Sequence, residues 1–285
     1  MNHSLRYDLN CSTLFTGLPV LERAAAAKAV GFDAVEFWWP FPVAVPSDAD
    51  TDAFVRSIRN AGVALAALNF FAGDLSAGER GLVSWPERSV EFRDNVDIVI
   101  GIGEQLGCRA FNALYGNRLD WVAPERQDDV AVGNLAAAAR SAARIDGTIL
   151  VEAVSGLQPY PLRTAADAVA VVDSLRRETA TVNVAFLADF YHLHVNGDDL
   201  DQVVEAHANR IGHVQIADAP GKHEPGTGAL DLGGPLHRLE QAGYTGYVGL
   251  EYIASDPLTP DFGWLPRERR GARQDAPAAT GEELR

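Results

Sequence analysis

The sequence predicts a single (β/α)8 barrel. Three observations carry the prediction: short β-rich runs alternate with longer helical patterns, there are eight such runs, and they recur at roughly 31 residues over about 250, the size and order of that fold. A doubly wound sheet usually has fewer strands, and no GxGxxG follows the first one. Of the 285 residues 47% are hydrophobic and 22% charged, the balance of a chain that buries a core.

The first strand spans 5–11. Pro19 then opens a helix that Gly31 closes, since proline suits a first turn and glycine a left-handed cap. A strand at 33–38 leads to a helix capped near Ser47 and Asp48 and ended by Gly62, and the third strand follows at 63–70. The helix from Pro86 to Gly107, the strand at 109–115 and the helix from Pro124 to Gly147 repeat the unit. The fifth strand, 148–154, precedes a helix capped by Thr164 and running to about Arg177. A strand at 182–190, a helix from Asp198 to about Arg210, a strand at 211–218, a short helix from Gly234 to Gly243 and a strand at 247–252 complete eight strands and seven helices. Residues 1–265 therefore form the catalytic barrel, and 266–285, polar and poor in large apolar side chains, a frayed tail.

Charge and targeting signals narrow the classes. With 24 Lys and Arg against 39 Asp and Glu, the net charge is −15, and no basic stretch could neutralise a phosphate backbone, so no nucleic-acid partner is expected. No apolar run reaches the roughly 18 residues of a membrane span, and the first residues lack a signal-peptide core. Cys11 and Cys108 are far apart, which suggests neither a disulfide framework nor a zinc knuckle. A cytoplasmic protein with no membrane partner is the expectation.

Barrels place their chemistry at the C-terminal ends of their strands. There the fifth to eighth strands run from apolar residues into Glu152, Asp189, Gln215 and Glu251, separated by 37, 26 and 36 positions, close to one βα unit each. One such acid alone is as easily a solvated or helix-facing residue. Three carboxylates and an amide at four consecutive strand ends, with no Lys or Arg beside them in the chain, are costly through repulsion of the acids unless a cation neutralises them. Oxygen ligands of this kind suit Mg²⁺ or Mn²⁺. Glu152 and Glu251, three strands apart around the ring, suit abstraction and return of a proton.

His192 follows the sixth strand, where it reads either as a donor to a substrate oxygen or as a loop imidazole satisfied by backbone. The loop after the seventh strand, 217–228, is long and charged, either a substrate cover or a solvated loop; Lys222, His223 and Glu224 lie in it, the first two as positive donors for an anionic substrate. Asn10, Glu36, Asn69 and Tyr115, near the ends of the first four strands, can line the mouth. The Ala-rich stretches at 24–27 and 136–139 permit close helix packing within the shell or in a homodimer or homotetramer.

Several runs carry a resemblance: Phe15-Thr16 with Leu21-Glu22-Arg23-Ala24, Gly31-Phe32-Asp33-Ala34-Val35-Glu36-Phe37, Leu68-Asn69-Phe70 with Ala72-Gly73-Asp74, and Ala77-Gly78-Glu79-Arg80-Gly81. With Leu150-Val151-Glu152-Ala153, His213-Val214-Gln215-Ile216-Ala217, His223-Glu224-Pro225 and Gly249-Leu250-Glu251-Tyr252, residues 5–264 resemble the hydroxypyruvate isomerase family of the xylose isomerase-like TIM barrels. The resemblance implies that Glu152, Asp189, Gln215 and Glu251 hold a divalent metal, with Glu152 and Glu251 as the acid/base pair. It implies a small anionic hydroxy-carbonyl substrate, hydroxypyruvate, interconverted with 2-hydroxy-3-oxopropanoate (tartronate semialdehyde) through a metal-bound enediolate. His192, Lys222, His223, Glu224, Asn69 and Tyr115 would then bind substrate. Gln215 stands where related keto-sugar epimerases carry histidine, while Lys222 and Ala229 replace the family's usual Arg and Glu. A 2-oxo-tetronate isomerase or related keto-sugar enzyme is the near alternative; a metal-dependent dehydratase or a non-catalytic barrel is the distant one.

Overall fold

The structure, a computed structural model, describes residues 3–156, 159–256 and 260–271. Eight parallel strands close into one barrel in chain order: β1 (Arg6–Asn10), β2 (Ala34–Phe37), β3 (Ala64–Asn69), β4 (Ala110–Asn112), β5 (Thr148–Glu152), β6 (Val184–Asp189), β7 (Ile211–Ile216) and β8 (Tyr247–Leu250), with β8 pairing back onto β1. Every strand read from the sequence is present, each trimmed at one or both ends. The fourth loses most, because beyond Asn112 the chain leaves the ladder and the Tyr115 N–H donates to the Tyr160 hydroxyl at 3.0 Å.

The helices are α1 (Val20–Ala29), α2 (Asp48–Ala61), α3 (Ser89–Leu106), α4 (Pro124–Ala143), α5 (Ala165–Thr179), α6 (Phe190–Asn196), α7 (Leu200–His207) and α8 (Gly233–Gln241). Capping follows local chemistry: Ser47 accepts from the Asp50 N–H at the start of α2, and Thr164 and Asp167 form a reciprocal box at the start of α5. The sequence reading has no counterpart of α6, whose seven residues follow β6 without a loop because Asp189 ends the strand and caps the helix in one position. The cap of α7 is Asp199, one residue later than expected, since Asp198 accepts instead from the Ala165 N–H at 2.8 Å.

Side chains alternate inward and outward along each strand. Leu150 and Leu187 join Ala185 in a small apolar cluster, and two positions on along the same strands come Glu152 and Asp189. The other wall is polar where it is buried, with Asp8, Glu36 and His213 below Asn10, Gln215 and Glu251. Gly249 leaves room for this: a Cβ there would lie 2.7 Å from Glu36 Oε1. The main core fills the space between sheet and helices. Ala24, Ala27, Ala136, Ala138 and Ala139 are buried in it, so these alanines serve packing within one chain.

The segment set apart as a tail begins against the barrel. Arg267 and Arg270 donate to the Ala29 and Val30 carbonyls at the C-terminal end of α1, and Arg269 to the His3 carbonyl. Residues 272–285 lie outside the described residues. Among those described, no helix is long and apolar enough to cross a membrane.

Candidate active site

The four polar strand ends meet at one mouth. Glu152, the last residue of β5, is buried; its Oε2 accepts from Asn112 Nδ2 at 2.7 Å, one strand away. Burial, then the charges of Glu251 and Asp189, push its pKa well above the carboxylate range. Asp189 spends Oδ1 on the Tyr191 and His192 N–H groups at 2.8 and 3.1 Å, which leaves Oδ2 buried and without a hydrogen-bond partner. Burial raises its pKa too, against the opposing effects of Lys222 and the two backbone donors.

Gln215 is oriented by its own amide. Its Nε2 donates to Glu36 Oε1 and Glu251 Oε2, both at 2.8 Å, so its Oε1 is turned away from them, buried and unpartnered. Glu251 is the most heavily solvated by protein: Oε2 accepts from Asn10 at 2.9 Å, Trp38 Nε1 at 3.1 Å and Gln215, and Oε1 from Lys222 at 2.9 Å. Its pKa is nevertheless raised, chiefly by burial.

Lys222 corrects the expectation that no cation stands beside these acids. It arrives from the loop after β7, with Nζ 2.9 Å from Glu251 Oε1, 3.6 Å from Asp189 Oδ2 and 3.3 Å from His192 Nε2. Burial works against its charge, but Glu251 and Asp189 outweigh it and raise its pKa above the ordinary lysine value. Lysines at long sequence separation are invisible to a reading of neighbours along the chain.

His192 belongs to the site. Its Nδ1 meets the Ser155 N–H at 3.2 Å and Oγ at 2.7 Å, while Nε2 lies 3.6 Å from Asp189 Oδ2. Burial, then Lys222, lower its pKa to about 3, so the ring is neutral through the physiological range. Asn69 lines the same cavity, of about 1010 Å³, together with Trp38, Arg80, Glu152 and Glu251.

Three residues expected to bind substrate are placed elsewhere. Tyr115 turns outward and its hydroxyl donates to Asp128 Oδ1 on α4 at 2.7 Å. His223 Nδ1 donates to the Ile253 carbonyl at 2.7 Å, and Glu224 accepts from the Ser255 N–H and Oγ at 2.8 and 2.7 Å. Both thereby tie the loop that carries Lys222 to the segment after β8. Conversely, Trp38, Asn112 and Ser155 hold site groups although nothing in their sequence neighbourhood marks them; only the pairing of neighbouring strands brings them in. Asn10 and Glu36 act as supports of Glu251 and Gln215 beneath the mouth.

The donor set suits a hard cation. Two buried oxygens, Asp189 Oδ2 and Gln215 Oε1, accept no hydrogen bond among the described residues, and donor atoms of Glu152, Asp189 and His192 lie within 4.8 Å of one another. Asp8, Glu36 and His213 form a second such group deeper in the barrel, where the His213 Nε2–Glu36 Oε2 pair is closed at 2.6 Å.

A closed parallel barrel with buried carboxylates gathered at its C-terminal mouth is the architecture of a barrel enzyme. The chain belongs to the xylose isomerase-like TIM barrel family, whose profile matches residues 24–278, and the curated relatives it resembles are isomerases. A Streptomyces coelicolor protein provisionally named a hydroxypyruvate isomerase is 50% identical, over 94% of this chain and 98% of its own. The Escherichia coli hydroxypyruvate isomerase is 30% identical over 92% and 98%. Further relatives carry the name 2-oxo-tetronate isomerase. Among solved structures, one from Brucella melitensis described as an AP endonuclease of family 2 superposes with a TM-score of 0.81 at 32% identity, covering 91% of this chain and 97% of that one.

Proposed function

We propose that the chain interconverts hydroxypyruvate and 2-hydroxy-3-oxopropanoate by aldose–ketose isomerisation through an enediolate, with Mg²⁺ or Mn²⁺ held by Glu152, Asp189, Gln215 and Glu251. The observation that carries the reading is the pair of buried, uncommitted oxygens on Asp189 and Gln215 between two strand-end glutamates. A bound divalent cation would supply Lewis-acid polarisation of the substrate carbonyl.

The chain's own groups divide the remaining work. Glu152, held by a single donor, is placed to take the carbon-bound proton. Glu251, fixed by four donors, keeps its position beside Lys222 and faces the intermediate from the other side. Neutral His192 presents Nε2 to the cavity and orients a substrate oxygen. Trp38 and Phe71 wall the site and limit water around the intermediate. The same reading places the enzyme in the cytoplasm, in keeping with two free, buried cysteines, and allows a homodimer or homotetramer whose interface lies outside the buried alanines.

The test is incubation of Mn²⁺- or Mg²⁺-supplemented protein with hydroxypyruvate in D₂O, followed by NMR. The expected outcome is the aldehyde product with deuterium in its carbon skeleton, both lost in Glu152→Gln and Glu251→Gln; no product and no exchange above those controls overturns the assignment. A second reading, 2-oxo-tetronate, uses the same chemistry and is favoured by relatives of that name at 26–30% identity. Exchange on the four-carbon acid with higher kcat/KM than on hydroxypyruvate would select it.

A further inference from the structure

Three cationic side chains line the cavity, and two are neutralised within it. Arg88 forms ion pairs with Glu79 at 2.8 Å and Glu91 at 2.6 Å, and Lys222 with Glu251 at 2.9 Å. Arg80 has no acidic partner among the described residues. One of its nitrogens, Nη1, is anchored on the Leu75 and Glu79 carbonyls at 2.9 and 2.6 Å, which holds the guanidinium plane by one corner. Its other nitrogens make no hydrogen bond among the described residues, and its charge reaches His192, where it adds to the depression of the imidazole pKa.

The loop that presents Arg80 is built for one conformation. Glu79 Oε2 accepts from the Asp74 N–H at 2.6 Å and from Arg88, so the residue before Arg80 is pinned at both ends of the loop. Gly73 sits at φ +84° with a Cβ position only 2.0 Å from Glu79 Oε2, and Gly81 at φ +106° with one 1.9 Å from the Leu114 carbonyl oxygen. Neither position tolerates a side chain, and both flank the segment that carries Arg80. A guanidinium held by one corner, with its remaining N–H groups toward a cavity, has the fork geometry that a carboxylate fills with two parallel bonds.

We propose that Arg80 receives the carboxylate of the substrate and so sets the preference of this mouth for hydroxy-carbonyl acids over neutral keto-sugars. The inference deepens the isomerase reading and rests on it for the identity of the reacting end. It also gives Lys222 a different task from carboxylate binding: Lys222 balances the acid cluster, and Arg80 recognises the anion at the opposite end of a small substrate.

Two ligands separate this inference from the reaction itself. Pyruvate has the carboxylate and carbonyl without the hydroxyl, so it binds without isomerising, and its dissociation constant is read by NMR titration. Dihydroxyacetone matches hydroxypyruvate with a hydroxymethyl group in place of the carboxylate, and its exchange in D₂O reads the chemistry alone. Arg80→Met should weaken pyruvate and raise KM for hydroxypyruvate by about 10- to 100-fold, the loss of a charge-assisted pair, with a much smaller change in kcat. Arg80→Lys should recover part of that loss, and exchange on dihydroxyacetone should stay at the wild-type rate. Unchanged pyruvate affinity in Arg80→Met, no pyruvate binding to the wild type, or an equal loss on dihydroxyacetone overturns the proposal. Arg80→Gln, whose amide can still donate to the anchoring carbonyls, provides the comparison if the Met variant loses the loop. Arg80-dependent pyruvate binding without turnover of any acid would instead remove the isomerase assignment and leave the carboxylate site standing.

Discussion

Asp8 is a fully buried carboxyl group in the barrel interior, and neither of its oxygens accepts a hydrogen bond. His213 Nε2 lies 4.0 Å from Asp8 Oδ2. Burial, then Glu36 and Glu251, push its pKa well above the ordinary carboxylate value, so the folded chain holds a proton there that the unfolded chain releases. The sign follows: the group's contribution to stability is complete below the unfolded value near 4 and is lost as pH rises toward the folded one. Asp8→Asn removes that dependence, and its Tm should gain on the wild type between pH 4 and pH 8 by on the order of 2 °C or more. A constant Tm difference across that range would show that Asp8 does not carry the linkage. At this scale the sequence was informative wherever a polar residue interrupts an apolar strand, as Glu152, Asp189, Gln215 and Glu251 do. It was silent on partners: Lys222 meets Glu251 across 29 positions and Trp38 meets it across 213. It misplaced Tyr115 because the fourth strand ends at Asn112, and past a strand's end alternation no longer predicts direction.

The elements carry the site by cross-bracing their loops. Asn95, buried on α3, accepts from the Phe71 N–H and donates to the Ala44 carbonyl, both at 2.8 Å, joining the loops after β2 and β3 that form one wall of the cavity. Asn95→Ala leaves a buried donor and a buried acceptor unmet and should lower stability by about 2–4 kcal/mol, seen as a lower urea midpoint at unchanged m-value. A loss below about 0.5 kcal/mol would mean the two loops do not need the strut. Element boundaries show the same contrast between local and distant causes. Helices that begin with a side-chain cap or end in glycine, such as α2 and α5 at their first turns, are legible because caps act within a few residues. The seven-residue α6 is not, because its cap Asp189 is also the last residue of a strand, and a reading that assigns each residue one role gives it to the strand.

For the molecule as a whole, a cation bound at the acid cluster would link folding to metal. Glu152, Asp189 and Glu251 all have raised pKa values with burial as the first cause, and among the described residues Lys222 is the cation paired with the cluster. If a divalent metal completes the site, it binds the folded barrel and not the unfolded chain, whose ligands are scattered over 100 positions. At about 100 times its dissociation constant, such a metal stabilises the fold by about 2.7 kcal/mol, which corresponds to roughly 5–10 °C in Tm for a chain of this order of size. The pH dependence has a definite sign. Each raised carboxyl must give up its proton before it can serve as a ligand, so the Mn²⁺-induced rise in Tm should be small near pH 5 and grow toward pH 8. Asp189→Asn should flatten that dependence, because Oδ2 is a buried carboxylate oxygen of the cluster that accepts no hydrogen bond. Differential scanning calorimetry with Mn²⁺ and with a chelator, across that range, reads the effect without any substrate. A Tm indifferent to both additions at every pH would mean that Lys222 alone balances the cluster and that the isomerase chemistry, where present, runs on its ammonium group.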